Sequence, residues 1–197
     1  MTPRHRITWS PSTGPAGTLL AIEPSADELA QHAAALTAAY NDPHNAPLLG
    51  HTELMTERDV IAHYGAVSRD GGHNFLVFRD GALVADADLR HVTRGAAEFA
   101  FMVAAVSAQG QGLGTRIATM IHAFAFATRR LDRVYASVIP TNTASRRVFD
   151  KLGYRVDATA AGRAYADEPD DVVLVIDRSS FEQSHAWQLA EIAIEMR

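Results

Sequence analysis

Hydrophobic positions recur along the chain with two spacings, and the changes of spacing mark the elements. A short apolar run at Thr18 to Glu23 predicts a first strand. From Ser25 the spacing becomes helical, with Leu29, Ala33, Leu36 and Tyr40 on one face and Glu28 three residues after Ser25 as a capping box. The stretch NDPHNAPLLGH, residues 41–51, holds two prolines and reads as a loop. A second helix runs from about Thr56 to near Arg69, with Glu57 and Asp59 in its first turn and Val60, Ile61 and Tyr64 inward. After Asp70-Gly71-Gly72, Phe75 to Phe78 and Ala82 to Leu89 read as strands. Arg79-Asp80-Gly81 joins them as a hairpin turn. Arg94-Gly95 turns the chain into an apolar run, Phe99 to Val106, of the length and composition of a buried strand.

The rest of the chain repeats the alternation. Ile117, Met120, Ile121 and Phe124 predict a helix over 115–130, and Arg133 to Ile139 a strand. Pro140-Thr141-Asn142 opens a further helix that closes at Gly153, the usual left-handed glycine position. Tyr154 to about Ala160 and Val172 to Ile176 read as the last strands, separated by the polar loop 161–171. Ser180 to Arg197 reads as a terminal helix with Phe181, Trp187, Leu189, Ala190 and Ile194 partly periodic. Residues 1–17, rich in proline and glycine, read as an N-terminal arm. The order β-α-α-β-β-β-α-β-α-β-β with a terminal helix predicts an α/β (α+β) fold. Its sheet is mixed and mostly antiparallel, flanked by helices, because hairpins precede the central strand and a crossover helix follows it. Nothing divides the 197 residues, so a single domain over 1–197 with a core at about 18–178 is expected.

Composition narrows the function. A net charge of −5 argues against nucleic acid as a partner, and no apolar run is long enough for a membrane helix. The basic start of the chain is not followed by an apolar stretch, so a cytoplasmic protein without a secretory signal is expected. With no cysteine there is no disulfide, thiolate metal site or cysteine acyl-enzyme, and the nine histidines lack His-x-x-x-His spacing, so no metal is expected.

The chemistry centres on Gln109-Gly110-Gln111-Gly112-Leu113-Gly114-Thr115, a glycine turn between a strand and a helix. The first amides of a helix have no intrahelical partner, the helix dipole is positive there, and glycine lets a phosphate approach the backbone. No lysine follows as in a P-loop. The Rossmann pattern begun at Gly110 would need a glycine where Thr115 stands. The same glycines also serve a plain tight corner. Gln109-x-x-Gly112-x-Gly114 resembles the acyl-CoA pyrophosphate loop of the GNAT superfamily of N-acetyltransferases. The segment from Val138 to Tyr154 is similar to that superfamily's Asn-x-x-Ala/Ser-x-x-x-Tyr-x-x-x-Gly-Phe stretch.

The resemblance covers roughly residues 18–178. It implies acetyl-CoA as acyl donor, with the amides of residues 110–115 on its pyrophosphate and the Met102, Val103 and Ala104 backbone on its pantetheine. Asn142 and Ser145 fall where the superfamily contacts the pantetheine arm, although asparagine is equally a favoured helix cap. Glu98 stands eleven residues before Gln109, where the histone acetyltransferase branch carries a catalytic glutamate, and is the expected base; the plain alternative is a strand-entry glutamate on the surface. The chain departs from the pattern at Phe149, which occupies the slot of the superfamily's usual tyrosine acid. Tyr135 could substitute, and Tyr154 reads as packing.

Asp86 and Asp88 share one strand face and read either as acceptor-site groups or as solvated ones. His44 and His51 lie in the loop that commonly shapes acceptor choice in the superfamily. Arg116, Arg146 and Arg147 are candidates for CoA phosphates. The reading is transfer of acetyl from acetyl-CoA to a primary amine of a protein or small molecule. The rival is a non-catalytic acyl-CoA-binding sensor or interaction module, suggested by Phe149. The apolar residues of 180–197 call for burial on the parent domain or in a homodimer.

Overall fold

The structure, a computed structural model, describes residues 4–12, 17–50, 52–104 and 109–197. Nine strands form one sheet: β1 (His5–Trp9), β2 (Leu19–Ile22), β3 (His73–Arg79), β4 (Ala82–Arg90), β5 (Ala96–Val103), β6 (Arg133–Val138), β7 (Arg155–Val156), β8 (Val172–Asp177) and β9 (Ile192–Met196). Their spatial order is β7-β8-β6-β5-β4-β3-β2-β1-β9, and every neighbouring pair is antiparallel except β5 with β6. The expected mixed sheet is therefore present. Asp80 and Gly81 both have positive φ, as the two-residue turn between β3 and β4 requires.

Helices cover both faces. On one face α1 (Ala26–Tyr40) and α2 (Glu57–Arg69) bury Leu29, Leu36, Val60 and Tyr64 against Ile22, Leu76, Phe78 and Met102. Both helices begin in reciprocal capping boxes, Ser25 with Glu28 and Thr56 with Asp59. Such caps satisfy otherwise orphan amides. On the other face α3 (Leu113–Ala123) and α4 (Thr143–Leu152) bury Ile117, Ile121, Phe149 and Leu152 in the larger core with Phe75, Phe99 and Val134. A wider helical turn, Phe124–Thr128, extends α3.

Both ends of the chain differ from expectation. The N-terminal arm contains β1, whose Ile7 and Trp9 are buried while Arg6 is exposed. The expected terminal helix is instead α6 (Arg178–Ser184), α7 (Ala186–Leu189) and then β9, which pairs with β1 from His5↔Met196 to Trp9↔Ile192. Period-two alternation over Ile192, Ile194 and Met196 is strand patterning, too short to outweigh the helical spacing from Phe181 onward. Phe181 is fully buried in the large core, which contributes on the order of 2–3 kcal/mol. Leu189, Ile192 and Ile194 pack against that core, while Trp187 and Met196 stay exposed. The expected strand 154–160 is only the two-residue β7, followed by α5 (Ala160–Arg163), whose start Thr159 caps.

The first three strands are clasped by one carboxylate. Glu23 accepts from His5 Nδ1 at 2.6 Å, from the His5 amide at 2.6 Å and from His73 Nδ1 at 2.5 Å. Burial pushes the Glu23 carboxyl up, but the bonds from His73 and His5 outweigh it and leave the value below the ordinary one. Its stabilisation is therefore complete above the ordinary glutamate range and lost as pH falls through the lowered value. Glu23→Gln should cost about 2 kcal/mol near neutral pH, or roughly 4–8 °C in Tm for a chain of this size. The gap should shrink as pH falls through that lowered value. Equal melting temperatures at pH 7 would remove the clasp from the account.

The feature that places the site is a split in the sheet. β5 and β6 pair only at Ala96–Glu98 with Arg133–Tyr135, then diverge as β5 runs on to Val103 and β6 to Val138.

Candidate active site

Two concavities, each about 290 Å³, open along the split and share the wall residues Leu48, Leu49, Phe101, Met102, Asn142 and Ser145. One is the glycine-loop groove, the other an acidic pocket. A chain lying in the first would emerge in the second beside Phe101 and Met102.

The groove is lined by Gln109, Gly110, Gly112, Leu113, Gly114 and Thr115, with Ala144, Ser145 and Arg147 of α4 opposite. Gly112 is the N-cap of α3 at φ 78°, a left-handed conformation that glycine adopts freely, and having no side chain it cannot cap the helix itself. The uncapped first amides of α3 thus border the groove, the arrangement that favours an anion. Gly114 answers a different need. A Cβ there would meet Phe101 Cε2 at 3.1 Å and Val148 Cγ2 at 3.2 Å, so its absence lets α3 lie against β5 and α4. Of the other loop residues, Gln111 is exposed and is not on the groove wall.

Gln109 braces the loop. Its Nε2 donates to Asn45 Oδ1 at 3.0 Å and to Val103 O at 3.2 Å, and its Oε1 lies 3.1 Å from His44 Nε2. Ala104 donates its amide to Val84 O of β4. Amide groups of successive strand residues point to opposite sides, so Met102 also faces β4, while Phe101 and Val103 direct theirs to the open side. Within the expected 102–104 stretch, the backbone edge facing the split therefore falls on Val103, whose carbonyl is taken by Gln109 and whose amide points to the split, with Phe101 before it.

Asn142 caps α4, its Oδ1 accepting from the Ser145 amide at 3.0 Å, and its Nδ2 donates to Leu48 O at 3.0 Å. The cap reading holds, and the residue also lies on the wall of both concavities. Arg147 lines the groove as expected of a phosphate partner, and Lys151 lines it too. Arg116 instead donates to Gly17 O and lies over the Trp9 ring, 5.4 Å from its centroid. Arg146 is absent from both walls. His51 lies outside the described residues.

The acidic pocket rests on β4. Asp86 and Asp88 project from one face toward α1 and α2, beside Ala100 and Met102 of β5. Asp86 accepts from Tyr40 Oη at 2.6 Å and Tyr64 Oη at 3.2 Å. Burial drives its carboxyl up to about 6, against the pull of those hydroxyls and with a push from Asp88. Asp88 Oδ2 takes a hydrogen bond from His63 Nε2 at 3.0 Å, and this bond raises the His63 imidazole. Asp88 Oδ1 is buried and has no partner. The opposite wall is the loop after α5, with Asp167, Glu168 and Asp171; Ser137 Oγ donates to Asp171 at 2.7 Å.

Glu98 is on the same sheet face, opposite Arg90 on the neighbouring strand, and lines neither concavity. It is 0% exposed, with Oε1 2.7 Å from Arg90 Nη2 and Oε2 2.8 Å from His91 Nδ1. Burial raises its carboxyl despite Arg90. Arg90 also reaches Asp167 at 2.5 Å and so ties the floor to the far wall. Phe149 stands on the pocket wall with no hydroxyl to offer. Tyr154 bonds His122 Nε2, and the Tyr135 ring stacks on Tyr165 with centroids 4.2 Å apart, so neither reaches the pocket. Sequence reasoning found the Asp86–Asp88 pair but missed Tyr40 and Tyr64, whose spacing marked them only as inward-facing. It also missed His63, Arg90 and the acids of the 161–171 loop.

The chain resembles known proteins along most of its length. Residues 20–155 match the family model described as an acetyltransferase (GNAT) domain. A probable N-acetyltransferase, YjcK of Bacillus subtilis (strain 168), is 29% identical over 109 residues, 53% of this chain and 60% of that protein. Mycobacterium smegmatis RimJ, solved with a CoA disulfide, superposes with a TM-score of 0.71 at 22% identity, covering 96% of each chain. Aminoglycoside acetyltransferase AAC(6')-Ib, solved with coenzyme A, gives 0.66 at 20% identity over 78% of this chain and 93% of that one. Spermidine N-acetyltransferase from Vibrio cholerae, solved with CoA and spermine, gives 0.65 at 15% identity over 83% and 97%. The split between β5 and β6, the uncapped glycine turn at its mouth and the match over residues 20–155 agree: the chain belongs to the GNAT acetyltransferase family.

Proposed function

We propose that the protein transfers the acetyl group of acetyl-CoA directly to a primary amine, with the donor in the glycine-loop groove and the amine in the acidic pocket. The observation that carries this reading is the junction of the two concavities at Phe101, Met102, Asn142 and Ser145, because a donor threaded through one would present its thioester to the other. The α3 amides would receive the pyrophosphate with Arg147 and Lys151 nearby. The open backbone edge at Phe101 and Val103 would pair with the pantetheine. The family membership and the acetyltransferases solved with CoA support the donor; the aminoglycoside and spermidine enzymes support an amine as acceptor.

The acceptor nitrogen must lose a proton before it can attack. Asp86 is the group we assign to this. It lines the pocket beside Met102, and its carboxyl at about 6 is ionised at neutral pH yet far more basic than an ordinary aspartate. Attack on the thioester carbonyl forms the new C–N bond, and collapse of the tetrahedral adduct expels CoA thiolate. A thiol of pKa about 8.5 leaves without a tyrosine acid, so Phe149 is compatible with turnover. Glu98, the base expected from its spacing, acts in this reading through Arg90, which it holds against the floor of the pocket.

The test is stoichiometric. Incubation with acetyl-CoA and a panel of primary amines should release one CoA thiol for each acetyl group recovered on an amine. Tight CoA binding without thiol release for any amine would instead favour the sensor reading.

A further inference from the structure

The acidic pocket carries more negative charge than one reacting amine needs. Its walls hold five carboxylates, Asp86, Asp88, Asp167, Glu168 and Asp171, against one guanidinium, Arg90, already engaged with Glu98 and Asp167, and the His63 imidazole, already bonded to Asp88. The carboxylates fall into two groups on opposite walls. Asp86 and Asp88 lie on β4 under α1 and α2, and the other three on the loop after α5. Asp88 is only 8% exposed and its Oδ1 has no hydrogen-bond donor, although the residue lines the pocket. A buried carboxylate oxygen without a donor is costly, and an ammonium group in the pocket would supply the missing N–H.

Resting on the acetyl-transfer reading above, we propose that the acceptor is a linear di- or polyamine bound at both ends of this pocket. One nitrogen sits at Asp86 and Asp88, next to the thioester, and a second, cationic nitrogen sits at Asp167 and Glu168. Asp88 and Arg90 are two residues apart on one strand face, so their side chains stand about 7 Å apart along the floor. Arg90 then reaches Asp167, which anchors the second group at the Arg90 end of that span. A spacer of about four to six methylenes covers such a distance. The pocket lining also includes Met55, Val60, Ala100 and Met102, apolar side chains that suit methylenes. The balance of the reaction is that of any acetyl transfer: one C–N bond forms, one C–S bond breaks, and the proton leaves through Asp86.

The experiment measures binding and turnover separately. Affinities of the full chain for α,ω-diamines of increasing length and for n-alkylamines of matched length are determined by calorimetry at low and moderate salt. The diamines should bind at least roughly tenfold more tightly than their monoamine counterparts, with an optimum near five carbons, and the advantage should fall with salt, since it is electrostatic. The double variant Asp167→Asn, Glu168→Gln should bring the advantage below about threefold. Equal affinity for mono- and diamines at every length, or an advantage that survives in the double variant, overturns the proposal. Turnover tells this inference apart from the reading beneath it. Diamines that bind preferentially but are never acetylated would sink the transfer reading and keep the two-ended pocket. Monoamines bound and acetylated as well as diamines would sink the two-ended pocket and keep the transfer reading.

Discussion

Asp86→Asn is expected to slow acetyl transfer by roughly 10²–10⁴-fold, the range for loss of a general base, while CoA affinity stays close to that of the parent protein. Asparagine keeps the shape and can still accept from Tyr40 and Tyr64, so the variant removes the proton acceptor and little else. The pH dependence has a definite sign. A base works only when ionised, so kcat/KM of the parent enzyme should climb as pH rises through about 6, and that acid limb should vanish in the variant. Stability should move the other way. Asp86 has a raised carboxyl in the folded state, so its favourable contribution is complete only below the ordinary aspartate range and is lost as pH rises through about 6. Above that pH the ionised, buried carboxylate is a burden of up to about 3 kcal/mol. Asp86→Asn should therefore melt no lower than the parent at pH 7.5, and higher if the tyrosines keep their bonds. An inactive variant with a raised Tm cannot be explained by unfolding, and gain of stability with loss of activity is characteristic of a strained catalytic site.

The comparison that decides the assignment is Glu98→Gln. Glu98 touches Arg90 and His91 but not the pocket, so its loss should act through the position of Arg90, lower the rate by roughly tenfold and leave the acid limb in place. A loss of 10³-fold or more with the limb abolished, beside an active Asp86→Asn enzyme, would return the proton to Glu98.

A feature of this fold was legible in the sequence where its signal was local. The Asp80-Gly81 turn, the Ser25 capping box, the helix start at Thr56 and the glycine loop before α3 were legible because each is written in a few consecutive residues. β1 and β9 were not, since both are short, β9 pairs only with β1 across nearly the whole chain, and β1 is held between it and β2. The acidic pocket was half legible. Alternation with alanine put Asp86 and Asp88 on one face, but the hydroxyls that meet Asp86 come from two helices, where spacing shows only that Tyr40 and Tyr64 point inward. For Glu98 the spacing identified a functional neighbourhood and left the depth open. It sits on the same face as Asp88, one strand over and a register step deeper, beneath Arg90. A one-dimensional distance from Gln109 cannot tell a carboxylate in the cavity from one that supports its wall.

Gly112→Val is expected to reduce CoA affinity by at least roughly 100-fold while leaving a folded protein. Two effects combine at this position. The backbone there has φ 78°, which a β-branched residue adopts at a cost of about 1–2 kcal/mol. In addition, a Cβ at Gly112 meets no atom of the described residues within 4 Å and Gly112 lines the groove, so the valine methyls would take up space where the pyrophosphate would approach. Gly71 separates the two. It has φ 79° and equally open surroundings, but lies in the turn between α2 and β3, away from both concavities. Gly71→Val should therefore show the backbone strain as a lowered Tm with unaltered CoA binding. Gly114→Val provides the opposite contrast, because its side chain runs into Phe101 and Val148 and should lower stability more than either of the others. Melting curves and calorimetric CoA titrations of the three variants give the pattern directly. If Gly112→Val melts like Gly71→Val and still binds CoA as the parent does, the pyrophosphate is not held by the amides of α3, and the donor must enter the split between β5 and β6 from another side.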